Sequence, residues 1–231
     1  MHYYDRRQLT IFKEIGLQHK TEGTLGAPIL GEMSEDCLFL NIATPDNTGR
    51  LRPVLFWIHG GGFINGSGNE LDGTVLAEQG DVVVVAVNYR LGSFGLLDLS
   101  SHGPEYKGSS SNSIRDLVLA MQWVRDNIED YGGDPENVTI SGVSSGGTFV
   151  LSLLATPAAD ELYHKAIAHS ATCAYKTADD PTHDLCKQLK VSKDEFLNHL
   201  LALPVQEILA LKLGFRVSVD HTAVSYTHLT L

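Results

Sequence analysis

The chain has 231 residues, 43% hydrophobic and 19% charged, the composition of an ordinary globular protein long enough for one large domain with a buried core. Its formal net charge of -11, from 17 Lys and Arg against 28 Asp and Glu, argues against nucleic acid as a partner, and no basic run is present to offset it. No apolar run is long enough to span a bilayer, and the opening MHYYDRRQLTIFKEIG has no continuous apolar stretch of signal-peptide length.

In chain order, CLFLNIATP (37–45) mixes β formers and stops at a proline, and RPVLFWIHGGG is an apolar run broken by glycines; both read as strands. GDVVVVAVNYRLG holds four consecutive valines without alternation, the pattern of a strand covered on both faces. Ile114, Leu117, Val118, Met121, Val124 and Ile128 recur at helical spacing, which predicts a helix ending at Gly132 and Gly133. NVTISGV (137–143) reads as a short buried strand, SGGTFVLSLLATP as a helix stopped near Pro157, and YHKAIAHS as a further strand. Ser192 and Glu195 stand in capping-box spacing at one helix start, and a second helix runs from Pro204 to Gly214. Strands alternating with helices imply an α/β protein with a mainly parallel sheet and helices on both faces. No repeat or linker divides it.

Cys37, Cys173 and Cys186 cannot all pair, and none has the spacing of a zinc site; free thiols are expected, with a Cys173–Cys186 loop disulfide as the alternative. The last eight residues, VSYTHLTL (224–231), translate GTC TCT TAT ACA CAT CTG ACG CTG, which resembles a transposon adapter used in sequencing. Residues 224–231 are therefore expected to be a scar, and Tyr226 and His228 are kept out of the site.

The chemistry concentrates in NVTISGVSSGG. Gly142, Val143, Ser144, Ser145 and Gly146 form G-x-S-x-G between a strand and a helix, the context in which a sharp turn lifts a serine oxygen to the end of a sheet. The spacing selects Ser144; Ser141 is still within the strand. The Ser145 N–H opens a helix whose dipole favours developing negative charge. Upstream, His59, Gly60, Gly61, Gly62 and Phe63 follow a strand directly, where consecutive glycines let several N–H groups turn toward one point. One preset donor is worth on the order of 3 kcal/mol to a tetrahedral oxyanion. Two nucleotide-binding readings fail: Thr148 stands where a phosphate loop needs lysine, and Asn65 where a dinucleotide fingerprint needs glycine. No cofactor or metal is expected.

From about Glu32 to Ser170 the chain resembles the type B carboxylesterase and cholinesterase-like family of α/β-hydrolases. SEDCLFLNIATP, PVLFWIHGGGF, VVVVAVNYRLGSFGLL, IRDLVLAMQWVRDNIEDYGGDPENVTISGVSSGG and LYHKAIAHS occur in the family's order. The resemblance implies hydrolysis of small carboxylic esters through an acyl-serine. Ser144 would be the nucleophile, and the N–H groups of Gly61, Gly62 and Ser145 the oxyanion hole. It further implies a structural salt bridge between Glu35 and Arg90, and Phe63 as a wall of the site. The family usually reads G-E-S-A-G-G, so Val143 replaces a glutamate and Ser145 an alanine.

A serine needs a histidine to take its proton and a carboxylate to orient that histidine, and in this fold the order is serine, acid, histidine. Of the histidines after Ser144, namely His164, His169, His183, His199 and His221 beside Asp220, none follows a pair of further strands. The expectation is that residues 1–223 are a partial α/β-hydrolase domain lacking the C-terminal strands, the triad acid and its histidine, and also the first N-terminal strands. Such a polypeptide would be inactive. A binding or adhesion module on this fold, or an amidase or lactonase, stays open as an alternative.

Overall fold

The computed structural model describes residues 14–16, 18, 31–45, 49–172, 176–177 and 180–219. Asp220, His221, Cys173 and the tail from residue 224 lie outside them.

Its centre is a five-stranded sheet, counted among the described residues, of β3 (Leu40–Ala43), β4 (Arg52–Ile58), β5 (Val83–Val87), β6 (Gly133–Val143) and β7 (Lys165–His169), in the spatial order β3-β5-β4-β6-β7. β3 runs antiparallel to β5, and every other pairing is parallel. The crossovers are helical: α1 (Thr74–Gly80) leads from β4 to β5, α2 (Gly92–Leu96) and α3 (Asn112–Asn127) from β5 to β6, and α4 (Ser145–Leu153) from β6 to β7. Parallel neighbours need such connections because a tight turn cannot return the chain in the same direction. All five residues of β5 are buried, as the valine run predicts. In β4, Val54, Phe56 and Ile58 are buried while Pro53 is exposed. These side chains join Ile114, Leu117, Met121 and Val124 of α3 and Phe149, Val150 and Leu153 of α4 in one core.

Two short parallel pairs lie outside the sheet: β1 (Glu14–Gly16) with β2 (Glu32–Ser34), and β8 (Lys176–Thr177) with β9 (Ser218–Val219). Helices α5 (Thr182–Leu189), α6 (Lys193–Ala202) and α7 (Val205–Leu209) contribute to a second apolar cluster of Leu97, Leu99, Leu185, Phe196, Leu200 and Leu211. The capping box at Ser192 and Glu195 forms. Three boundaries differ from the sequence reading. α3 ends at Asn127 and passes through a tighter turn, Ile128–Tyr131, to Gly132 at φ 77°. β6 starts at Gly133, because Gly133 already pairs with Arg52 before the ladder shifts register. α7 stops at Leu209 rather than near Gly214. Among the described residues no helix is long and apolar enough to cross a membrane.

Candidate active site

The strand–turn–helix context required of G-x-S-x-G is present. β6 ends at Val143, Ser144 turns the chain, and α4 begins at Ser145. Ser144 has φ 57° and ψ -121°, a conformation L residues rarely adopt, at a cost of order 1–3 kcal/mol. Two main-chain bonds hold it there: its N–H donates to the His169 carbonyl at 2.9 Å, and its own carbonyl accepts from Thr148 at 3.0 Å. Ser144 is half-buried, so the hydroxyl stands at the C-terminal end of the sheet beside the first turn of α4. The N–H of Ser145 has no carbonyl four residues back within the helix, which leaves it available to an anion.

The glycine segment reaches the same place because β4 and β6 are neighbours, with Ile58 opposite Gly142. Contact with α4 is main chain on main chain: a Cβ on Gly146 would run into the carbonyl oxygens of Ile58 and His59. Gly61, at φ 113°, begins a turn in which its carbonyl accepts from Ile64 and Asn65, both at 3.2 Å. The loop is tied down on both sides. The Gln18 side chain accepts from Gly66 N–H at 2.8 Å, and Asn88 Oδ1 accepts from Gly68 N–H at 2.8 Å. Gly92 N–H donates to the Phe63 carbonyl at 2.7 Å. Gly61 is half-buried and Gly62 exposed, with open space on its Cβ side.

Beneath this loop lies an aromatic and polar floor. The His59 ring stacks on Tyr89 with centroids 4.3 Å apart, and Phe149 of α4 meets both Tyr89 and Phe63 edge-on at 5.0 and 5.3 Å. Burial pulls His59 down to a pKa of about 4, so its ring is neutral. Its Nδ1 lies 2.8 Å from the Gly60 carbonyl, which can only accept, so Nδ1 carries the proton. The Tyr89 hydroxyl donates to the His59 carbonyl at 2.8 Å, and burial raises its pKa, with the Glu70 carboxylate adding to the rise. His59 is thus a structural part of the loop. Phe63 lines the loop and packs edge-on against Phe149 of α4.

One expected contact is not formed. Arg90 pairs with Asp116 of α3 instead of Glu35: its Nε and Nη2 donate to the two carboxylate oxygens at 2.8 and 2.7 Å, and its main-chain N–H adds a third bond at 3.0 Å. Asp116 is 5% exposed and directly faces the guanidinium, whereas Glu35 is exposed to solvent. A buried carboxylate needs these donors, and a solvated one does not. Cys37, next to that pair, is a buried free thiol pushed up to a pKa of about 11 by burial and by Asp116. Cys186 is also free, and the proposed disulfide partner Cys173 lies outside the described residues.

The remaining histidines do not gather at Ser144. His164 Nδ1 accepts from Val138 N–H at 3.1 Å, a strand-end role, and His183 and His199 are exposed on α5 and α6. His169 reaches Ser144 through its carbonyl. Among the described residues no imidazole or carboxylate bonds the Ser144 hydroxyl. The sequence reading did not identify Gln18, Tyr89 or Asp116. Their bonds span 48, 30 and 26 residues, and none belongs to a local motif.

A mainly parallel sheet with helical crossovers and a strained serine at a strand–helix corner, backed by a glycine loop, defines an α/β-hydrolase fold. Residues 2–226 match the profile of the Carboxylesterase family, and the chain belongs to that family. It is 47% identical over 152 residues to the para-nitrobenzyl esterase of Bacillus subtilis (strain 168), covering 65% of this chain and 31% of that protein. It is 49% identical over 141 residues to the liver carboxylesterase of Sus scrofa, covering 60% of this chain and 24% of that one. A solved thermophilic PNB esterase superimposes with a TM-score of 0.83 at 35% identity, over 93% of this chain and 47% of its own. The chain thus spans about a third or less of the length of these curated relatives.

Proposed function

We propose that this chain carries the nucleophile and oxyanion half of a serine carboxylesterase acting on small carboxylic esters. Ser144 Oγ attacks the ester carbonyl, and its proton passes to a base. The carbonyl oxygen becomes an oxyanion held by the N–H groups of Gly61, Gly62 and Ser145. Collapse of the adduct breaks the bond to the alcohol oxygen, which leaves with a proton and gives an acyl-Ser144 ester. Water then releases the acid and restores the serine.

The observation that carries this reading is the conformation of Ser144, forced to φ 57° where the glycine loop meets α4. A turn of that kind at a strand end brings a serine hydroxyl to the end of the sheet. The base and its orienting acid are assigned to the part of the longer relatives that this chain does not cover. No metal or cofactor takes part in the proposed steps.

The test uses p-nitrophenyl acetate. A full-length protein carrying this segment turns the ester over, and Ser144→Ala abolishes turnover. The 231 residues alone give none. Turnover that survives Ser144→Ala rules out the nucleophile, and turnover by the 231-residue chain rules out the assignment of the base.

A further inference from the structure

Three buried hydroxyl residues, Thr148, Ser152 and Thr156, follow Ser144 along α4 and its end at intervals of four, so they share one face. Two of them do what helical hydroxyls ordinarily do and donate to the carbonyl four residues back: Ser152 Oγ to Thr148 and Thr156 Oγ1 to Ser152, each at 2.8 Å. Thr148 departs from that pattern. Its Oγ1 is 3.4 Å from the Ser144 carbonyl but 3.1 Å from both the carbonyl and the N–H of Thr172, donating to the first and accepting from the second. The Thr172 hydroxyl adds a contact at 3.4 Å.

Thr172 closes the segment that leaves β7, turns at Ser170 with φ 49° and crosses the first turn of α4. The crossing is tight: a Cβ on Gly147 would stand 2.7 Å from the His169 carbonyl oxygen and 3.1 Å from Ala171 Cβ. His169, at the start of that segment, accepts the Ser144 N–H at 2.9 Å, and the Ser144 carbonyl accepts the Thr148 N–H at 3.0 Å. Both grips on the strained serine therefore lead to one residue, through the Thr148 main chain on one side and its side chain on the other.

We propose that Thr148 is a positioning residue for the nucleophile, its hydroxyl holding the 169–172 segment on α4 so that the His169 carbonyl keeps Ser144 at its corner. This rests on the acyl-serine reading of Ser144. Without the hydroxyl the Thr172 main-chain groups lose their partner on α4 and the end of β7 is held less firmly. Ser144 then spends less time aligned for attack, which slows the chemical step and leaves substrate binding as it was.

The experiment uses the full-length protein with p-nitrophenyl acetate, with kcat referred to the folded fraction read by urea unfolding. Thr148→Val deletes the hydroxyl and keeps the shape; it lowers kcat about three- to tenfold, the worth of one hydrogen bond, with KM within about twofold of the parent. Thr148→Ser keeps the hydroxyl and restores kcat to within about twofold. Thr156→Val deletes a buried hydroxyl of the ordinary helical kind, so it lowers the urea midpoint and leaves kcat unchanged. Where Thr148→Val does not fold, Thr148→Ala carries the same expectation. Unchanged kcat in the variant without the hydroxyl, no recovery in Thr148→Ser, or an equal kcat loss in Thr156→Val overturns the positioning role. If Ser144→Ala abolishes turnover while Thr148→Val turns over like the parent, the positioning role alone falls. If turnover survives Ser144→Ala, the acyl-serine reading falls and the role of Thr148 with it.

Discussion

The N–H of Ser144 donates to the carbonyl of His169 at 2.9 Å, so the strained turn after β6 is fastened to the end of β7. The corner is held by main chain from the neighbouring strand and not by the serine side chain. This makes the strain separable from the hydroxyl. In the full-length protein, Ser144→Gly removes both and should raise stability by about 1 kcal/mol while abolishing ester turnover. Ser144→Ala also abolishes turnover but leaves the strain, so its urea midpoint stays near that of the parent. Urea unfolding of the three proteins checks the ranking.

The Arg90–Asp116 pair makes a second prediction. Asp116→Asn weakens two charged bonds to a nearly buried carboxylate position and should cost about 2 kcal/mol. Glu35→Gln, at an exposed residue, should change stability by less than about 0.5 kcal/mol. Equal losses from the two variants would restore the Glu35 pairing implied by the family resemblance.

His59 makes the fold sensitive to acid. Its folded pKa of about 4 lies below the ordinary histidine value of 6.5, so the unfolded chain binds the proton first. Stability from this group is complete above about pH 6.5 and drains away as pH falls toward 4, by up to about 3 kcal/mol. Denaturation of the parent and His59→Gln at pH 7.5 and pH 4.5 measures the difference, and the variant should show the shallower decline.

Among the described residues β7 pairs only with β6, and all five of its residues are exposed, Ile167 by 43%. Such an edge recruits other strands. The 231-residue chain should self-associate in sedimentation velocity at micromolar concentration, and Ile167→Lys should shift it toward monomer.

What could be read from the sequence was what short-range chemistry decides. The strand–turn–helix corner at Ser144 follows from its flanking glycines, β5 from its valines, and the start of α6 from the Ser192–Glu195 reciprocity. α2 was missed because Gly92–Leu96 is too short and glycine-rich to show periodicity. Asp116 sits within a helix pattern that was recognised, yet its partner was assigned elsewhere. Its spacing from Arg90 becomes a contact only when α3 packs on the end of β5. Gln18 is more distant still: nothing around it in sequence signals that its amide will close on Gly66, 48 residues away.

Phe149 meets Phe63 of the glycine loop and Tyr89 below it, each edge-on, from a position one turn inside α4. One ring therefore acts as a shared gauge block between two pieces of chain that are far apart in sequence. Neither can drift sideways without lifting off it, so a push on the loop is passed to α4 and to the end of β5 together.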